Sequence, residues 1–184
     1  MDSDWAQCPR TRRSAGGGLV IWGKHLLDAY VGQEQSVSLS SAESELHQMV
    51  QGAARGLHLR NILAEVLETA PRVRVGSDAS AAIGITARLG AGRVRHLEAK
   101  ELWIQEKVRA KEVTTTKIGT KVNRADLLTK FLDGAQHHAL LALLPLLWTT
   151  TRCGSGTAAV AALILTMPAE AREEYDDESS AVVG

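Results

Sequence analysis

Gln35-Ser36-Val37-Ser38-Leu39-Ser40-Ser41-Ala42-Glu43-Ser44-Glu45-Leu46 is the stretch in which the hydrophobic period of the chain changes, and that change decides the fold class. Val37 and Leu39 alternate with serines, the two-residue period of a strand with one buried face. From Leu46 the apolar residues recur at Met49, Val50, Ala53, Leu57, Ile62, Leu63 and Val66, three or four apart, so the spacing predicts a helix with one apolar face. Ser40 or Ser41 supplies a capping hydroxyl at its start, and Pro71 stops it beyond about Glu68. On the N-terminal side, Gly18-Leu19-Val20-Ile21-Trp22 is an apolar run, and Gly23-Lys24 turns it into His25-Leu26-Leu27-Asp28-Ala29-Tyr30, a hairpin pattern. On the C-terminal side, residues 72–77 alternate as a strand ending at Asp78, and a short helix covers residues 79–88. After the break at Gly90-Ala91-Gly92, residues 97–110 form a charged amphipathic helix holding Trp103, Ile104 and Val108. Residues 112–118, rich in Thr and Val, read as a strand, and Asn123 caps a last helix running from Arg124 to about Leu144. The order is three strands, helix, strand, one or two helices, strand, helix. It predicts an α/β layer on a mixed sheet, with an antiparallel meander first and later strands joined through helices.

The 184 residues suffice for one ordinary domain with room for a tail, and 45% hydrophobic against 23% charged residues excludes disordered, collagen-like and multi-span membrane classes. Residues 1–148 are the expected domain. Residues 149–184 are expected to be an unstructured or weakly helical, acidic, low-complexity tail: the apolar run 157–167 is too short to span a bilayer. Cys8 and Cys153 alone support neither a disulfide framework nor a zinc knuckle, and the first residues have no apolar signal core. An intracellular setting, cytoplasm or nucleus, is the expectation.

The net charge is zero, but only as an average. Residues 72–130 hold thirteen Lys or Arg against six Asp or Glu, a surplus of seven, whereas residues 149–184 hold two against six. A basic middle segment can meet phosphates even in a neutral chain, although a solvated helix surface has the same composition.

Four acidic residues fall at the ends or starts of these elements: Asp2 on the remains of a first strand, Glu45 in the first turns of the long helix, Asp78 after its strand, and Asp126 in the first turn of the last helix. In a sheet with packed helices such positions can converge beside the strand ends. Converging carboxylates raise one another's pKa unless a cation compensates, and hard oxygen donors suit Mg²⁺ or Mn²⁺. Two such ions about 3.5–4 Å apart can activate water and stabilise the leaving oxygen in phosphodiester hydrolysis. Glu45 and Asp126 also sit where an acid favours a helix dipole, and Asp78 where it can cap a helix.

Five pieces of sequence, in order, resemble the ribonuclease H domain of Ty1/copia-type retrotransposon Pol polyproteins. They are Asp2-Ser3-Asp4-Trp5-Ala6 with Arg12-Arg13-Ser14, Val37 to Leu46, Asp78-Ala79-Ser80-Ala81-Ala82-Ile83, Arg95-His96-Leu97-Glu98, and Asn123-Arg124-Ala125-Asp126-Leu127-Leu128-Thr129-Lys130. The resemblance covers residues 2–148. It implies a ribonuclease H-like mixed five-stranded sheet with flanking helices and hydrolysis of the RNA strand of an RNA–DNA hybrid by two Mg²⁺ or Mn²⁺ ions. It also implies catalytic and metal-binding residues Asp2, Glu45, Asp78 and Asp126, and a reverse transcriptase domain upstream. Asp4, two residues from Asp2 on the same strand face, is the alternative first ligand, and Glu43 reads as an exposed acid at the helix start. Arg93, Arg95, His96 and Lys100 are the expected nucleic-acid contacts, with His96 either a proton shuttle or a surface residue. With aromatics at only 4%, hybrid recognition leans on backbone and groove shape; no small-molecule cofactor or membrane partner is expected.

Two features depart from the family's pattern. Only Met1 precedes Asp2, where the family's central first strand carries several apolar residues, so that strand is expected to be truncated and the chain to be part of a longer polyprotein. Gly16-Gly17-Gly18 is expected to loosen the hairpin start. Ancestry and activity therefore separate: the alternative to a hybrid ribonuclease is an inactive remnant of the fold that binds nucleic acid or a protein partner.

Overall fold

A computed structural model describes residues 1–68, 70–90, 92, 97, 99–144, 146 and 180–183. Strand β1 (Asp2–Asp4) pairs antiparallel with β2 (Ala15–Trp22), which pairs antiparallel with β3 (His25–Gln33). Helix α1 (Ser41–Leu67) leads to β4 (Arg72–Ser77), and helices α2 (Ser80–Thr86) and α3 (Ala99–Arg109) lead to β5 (Val113–Lys117), parallel to β4. Short α4 (Asp126–Thr129) and α5 (Gly134–Ala142) follow. A last strand, β6 (Ser180–Val183), lies between β2 and β4 and joins the antiparallel and parallel parts into one mixed sheet. With β6 the sheet has six strands, and the expected unstructured tail contains one of them. Residues 149–179 and 184, the rest of that tail, lie outside the described residues.

The change of period at residue 40 is real, but its strand side is not. Residues 34–40 form a loop in which Val37 and Leu39 are exposed, while Ser38 donates its hydroxyl to Glu34 and lends its carbonyl to the Trp5 indole. Polar anchoring holds this segment where a ladder was expected; the antiparallel meander is completed by β1 instead. Ser40 is the cap of α1: its side chain accepts from the Glu43 amide, and the Glu43 carboxylate accepts from the Leu39 amide 2.8 Å away. That reciprocal arrangement buries Glu43, which corrects its reading as an exposed acid.

Leu46, Met49, Ala53 and Leu57 of α1 pack on Val73 and Val75 of β4, Val20 of β2 and Met1, with Ile104 of α3 and Ile85 of α2 closing the core. The apolar face continues in sequence through Ile62 and Val66, yet both are exposed. At about 1.5 Å per residue a helix of this length outruns a six-residue strand by roughly twofold, so its last turns have no sheet to cover. The glycine run forms buried strand rather than a loosened hairpin. A Cβ on Gly17 would lie 2.8 Å from the Tyr30 carbonyl oxygen, and one on Gly18 2.5 Å from the Met1 side chain, so the absence of side chains lets β3 and Met1 close in. The expected last helix is broken between Lys130 and Asp133, where Asp133 accepts from the Gln136 amide and caps a separate α5.

Candidate metal centre

Asp2, Glu45 and Asp78 each present a carboxylate oxygen within 4.8 Å of the others'. Three elements distant in sequence bring them together: β1, the second turn of α1, and the residue after β4. Asp2 is 1% exposed and Glu45 7%, while Asp78 is half-buried at the mouth. Of the two candidates for the first ligand, Asp2 lies in this cluster and Asp4 outside it.

Glu45 is fixed at both oxygens. Oε1 accepts from the Ser3 amide at 3.1 Å and the Ser3 hydroxyl at 3.2 Å, and Oε2 accepts from the Ser77 hydroxyl at 3.3 Å. Burial, then the charge of Asp2, pushes its carboxyl up to about 7 against the opposing Ser3 hydrogen bond. Asp2 is held from the other side by the closing segment of the domain. Lys130 donates to Oδ1 at 3.0 Å, Thr129 donates its hydroxyl to Oδ2, and Asn123 reaches Oδ1 at 3.5 Å and the Met1 carbonyl at 3.4 Å.

Asp126 is buried and close enough to feel the charges of Asp2 and Asp78, but it is not a member of the three-carboxylate cluster. Lys130 stands between: its Nζ lies 3.0 Å from Asp2 and 3.2 Å from Asp126 Oδ1. Burial foremost, then Asp2, raises the Asp126 carboxyl to about 6 despite the Lys130 ammonium. Four carboxylates thus share one corner, three as an open oxygen cluster and the fourth tied through an ammonium. The donor set is all oxygen, two members are pushed toward protonation, and the cluster has a half-exposed mouth at Asp78. These properties fit a hard divalent cation.

Of the expected nucleic-acid contacts, Arg93, Arg95 and His96 lie outside the described residues. Lys100 is exposed on α3, beside a cleft of about 440 Å³ that none of the four carboxylates lines. That cleft holds a network the sequence did not reveal. His47 Nε2 lies 2.6 Å from Glu101, and its Nδ1 lies 3.4 Å from Glu34, which also accepts from Ser38, Ser44 and Gln48. The hydrogen bond to Glu34 leads the effects that lift His47 to about 9, which favours the cationic form of this partly buried ring between two carboxylates. It locks the start of α1, two residues from Glu45, to α3 and to the segment after β3. Of the residues that support the acidic corner, Ser3 belongs to the first motif and Asn123, Thr129 and Lys130 to the last; the i to i+4 spacing of Asp126 and Lys130 is the sequence signal of that support.

Comparison with protein-family models, curated proteins and solved structures finds no match. Among the described residues no helix is long and apolar enough to cross a membrane.

Proposed function

We propose that the chain is a retroelement-derived ribonuclease H-type endonuclease that hydrolyses the RNA strand of an RNA–DNA hybrid with divalent cations at Asp2, Glu45, Asp78 and Asp126. The observation that carries the reading is the meeting of Asp2, Glu45 and Asp78, three residues taken from three separate motifs of the resemblance and joined by the fold within 4.8 Å. The mixed sheet with α1 packed on it supports this reading. Residues Asp2, Glu45 and Asp78 would hold one ion, and Asp126 with Asp2 would be the donors for a second. Bound there, Mg²⁺ or Mn²⁺ supplies a polarised water and charge compensation for the leaving oxygen. The protein's own part is to hold the donors: Ser3 and Ser77 orient Glu45, and Thr129 and Asn123 orient Asp2. The basic segment around Arg93, Arg95, His96 and Lys100 would contact the hybrid's phosphates, and a reverse transcriptase domain would be the upstream partner.

One observation favours the second reading, a fold remnant that binds without cutting. Lys130 already neutralises Asp2 and Asp126, as an ammonium in place of a second ion. Incubation with a hybrid labelled in its RNA strand and with a matched DNA duplex, in Mg²⁺, separates the two. Faster cutting of the hybrid, lost in Asp78→Asn, supports the nuclease; salt-sensitive hybrid binding with no metal-dependent cutting supports the remnant.

A further inference from the structure

Strand β6 lies in line with β1, and the strands on both sides number the two as one. On β2, β1 sets Asp2, Ser3 and Asp4 opposite Gly17, Gly16 and Ala15, and β6 sets Ala181, Val182 and Val183 opposite Trp22, Ile21 and Val20. Both run antiparallel to β2, so Met1 falls opposite Gly18, and a single position, facing Leu19, separates it from Val183. The other neighbour gives the same spacing independently. Val183 pairs in parallel with Val75, and the Met1 amine donates to the Gly76 carbonyl at 2.9 Å, the bond that a residue opposite Ser77 makes in a parallel ladder.

We infer that Ser180–Val183 is a built-in donor strand, filling in cis the slot between β2 and β4 and completing the strand that carries Asp2. The slot is a docking surface for one extended segment, and its occupant is this chain's own C-terminal region. Without an occupant, the backbone of residues 20–22 and 72–75 would face a gap beside Val20, Val73 and Val75, which are core residues. Each buried polar group left unpaired there is destabilising, because it has lost its water without gaining a partner. Occupation in cis is within reach, since the 37 residues 143–179 join the end of α5 at Ala142 to the start of β6 at Ser180. Because the slot admits a single strand, β6 and any extended apolar segment joined ahead of Met1 exclude each other. This inference is independent of the proposed chemistry, since its test reads backbone protection and not cleavage.

Hydrogen exchange on the full chain tests it with two variants. Val182→Pro removes an amide from a strand flanked on both sides. Its expected effect is a loss of protection on the order of tenfold or more at residues 20–22 and 72–75, restored when Ser-Ala-Val-Val-Gly is added ahead of Met1 of the same variant. In the otherwise unaltered chain, that extension is expected to release the tail, so that amides 181–183 exchange freely while β2 and β4 stay protected. This second arm reads the slot even where Val182→Pro fails to fold. Unchanged protection in Val182→Pro, no rescue by the extension, or a tail that stays protected beside it would each overturn the inference. Protection that rises with protein concentration alongside a dimer would replace the cis strand by a second copy's and overturn the assignment equally.

Discussion

Replacing Glu45 with Gln is expected to stabilise the metal-free protein at alkaline pH and to weaken the stabilisation given by Mg²⁺. Burial and the Asp2 charge raise the Glu45 carboxyl from 4.5 to about 7. The folded state therefore keeps a proton that the unfolded state releases between those two values. Relative stability from this group is highest below about pH 4.5, falls as the pH rises to about 7 and is level above it, a penalty of roughly 3 kcal/mol. Gln has no charge to desolvate but leaves only one oxygen to replace two that accept from Ser3 and Ser77, which returns about 1–2 kcal/mol. The net gain at pH 8 in chelator is thus about 1–2 kcal/mol, shrinking to zero or below at pH 4.5. A cation at ten times its dissociation constant adds about 1.4 kcal/mol to the wild type, and the variant gains less because a donor charge is gone. Urea unfolding at the two pH values, with chelator and with Mg²⁺, reads all four quantities. A variant equally destabilised at both pH values in chelator, or equal Mg²⁺ gains in the two proteins, would refute the reasoning.

Lys130→Met leaves Asp2 and Asp126 without their shared ammonium, and we expect a loss of about 1–3 kcal/mol in chelator, after allowance for the partial exposure of the lysine; Mg²⁺ should recover part of it, and thermal melts with and without the ion measure both effects. His47→Gln strips the cation from between Glu34 and Glu101. Because His47 is raised from 6.5 to about 9, its stabilisation is complete below pH 6.5 and lost as the pH passes 9; urea titrations should show a gap of about 2–3 kcal/mol at pH 6 that closes by pH 10.

Long periodic signals were the legible part of the fold. Helix α1, the hairpin of β2 and β3, and strands β4 and β5 follow from three- and four-residue spacing, a Gly-Lys turn and β-branched alternation, all of which act locally. Elsewhere tertiary context overrides the local pattern. Val37 and Leu39 alternate as in a strand, yet the hydroxyl and carbonyl of Ser38 are used by Glu34 and Trp5, and both apolar side chains stay exposed. Ile62 and Val66 keep the helical period beyond the end of the sheet they would cover. Strand β6 carries no local warning at all, because its place is decided by partners more than a hundred residues away. At the site, Asp2, Glu45 and Asp78 could be named from ordered motifs. Their support by Thr129 and Lys130 could not, since it depends on the break after α4 that turns Lys130 toward Asp2.

Mn²⁺ binding followed by electron paramagnetic resonance tests the central claim, that Asp2, Glu45 and Asp78 form a cation site. Asp2→Asn and Asp78→Asn are each expected to weaken binding at least about tenfold, while Asp4→Asn binds like the wild type. Absence of specific binding by the wild type, or an Asp4→Asn loss as large as that of Asp2→Asn, would contradict the account.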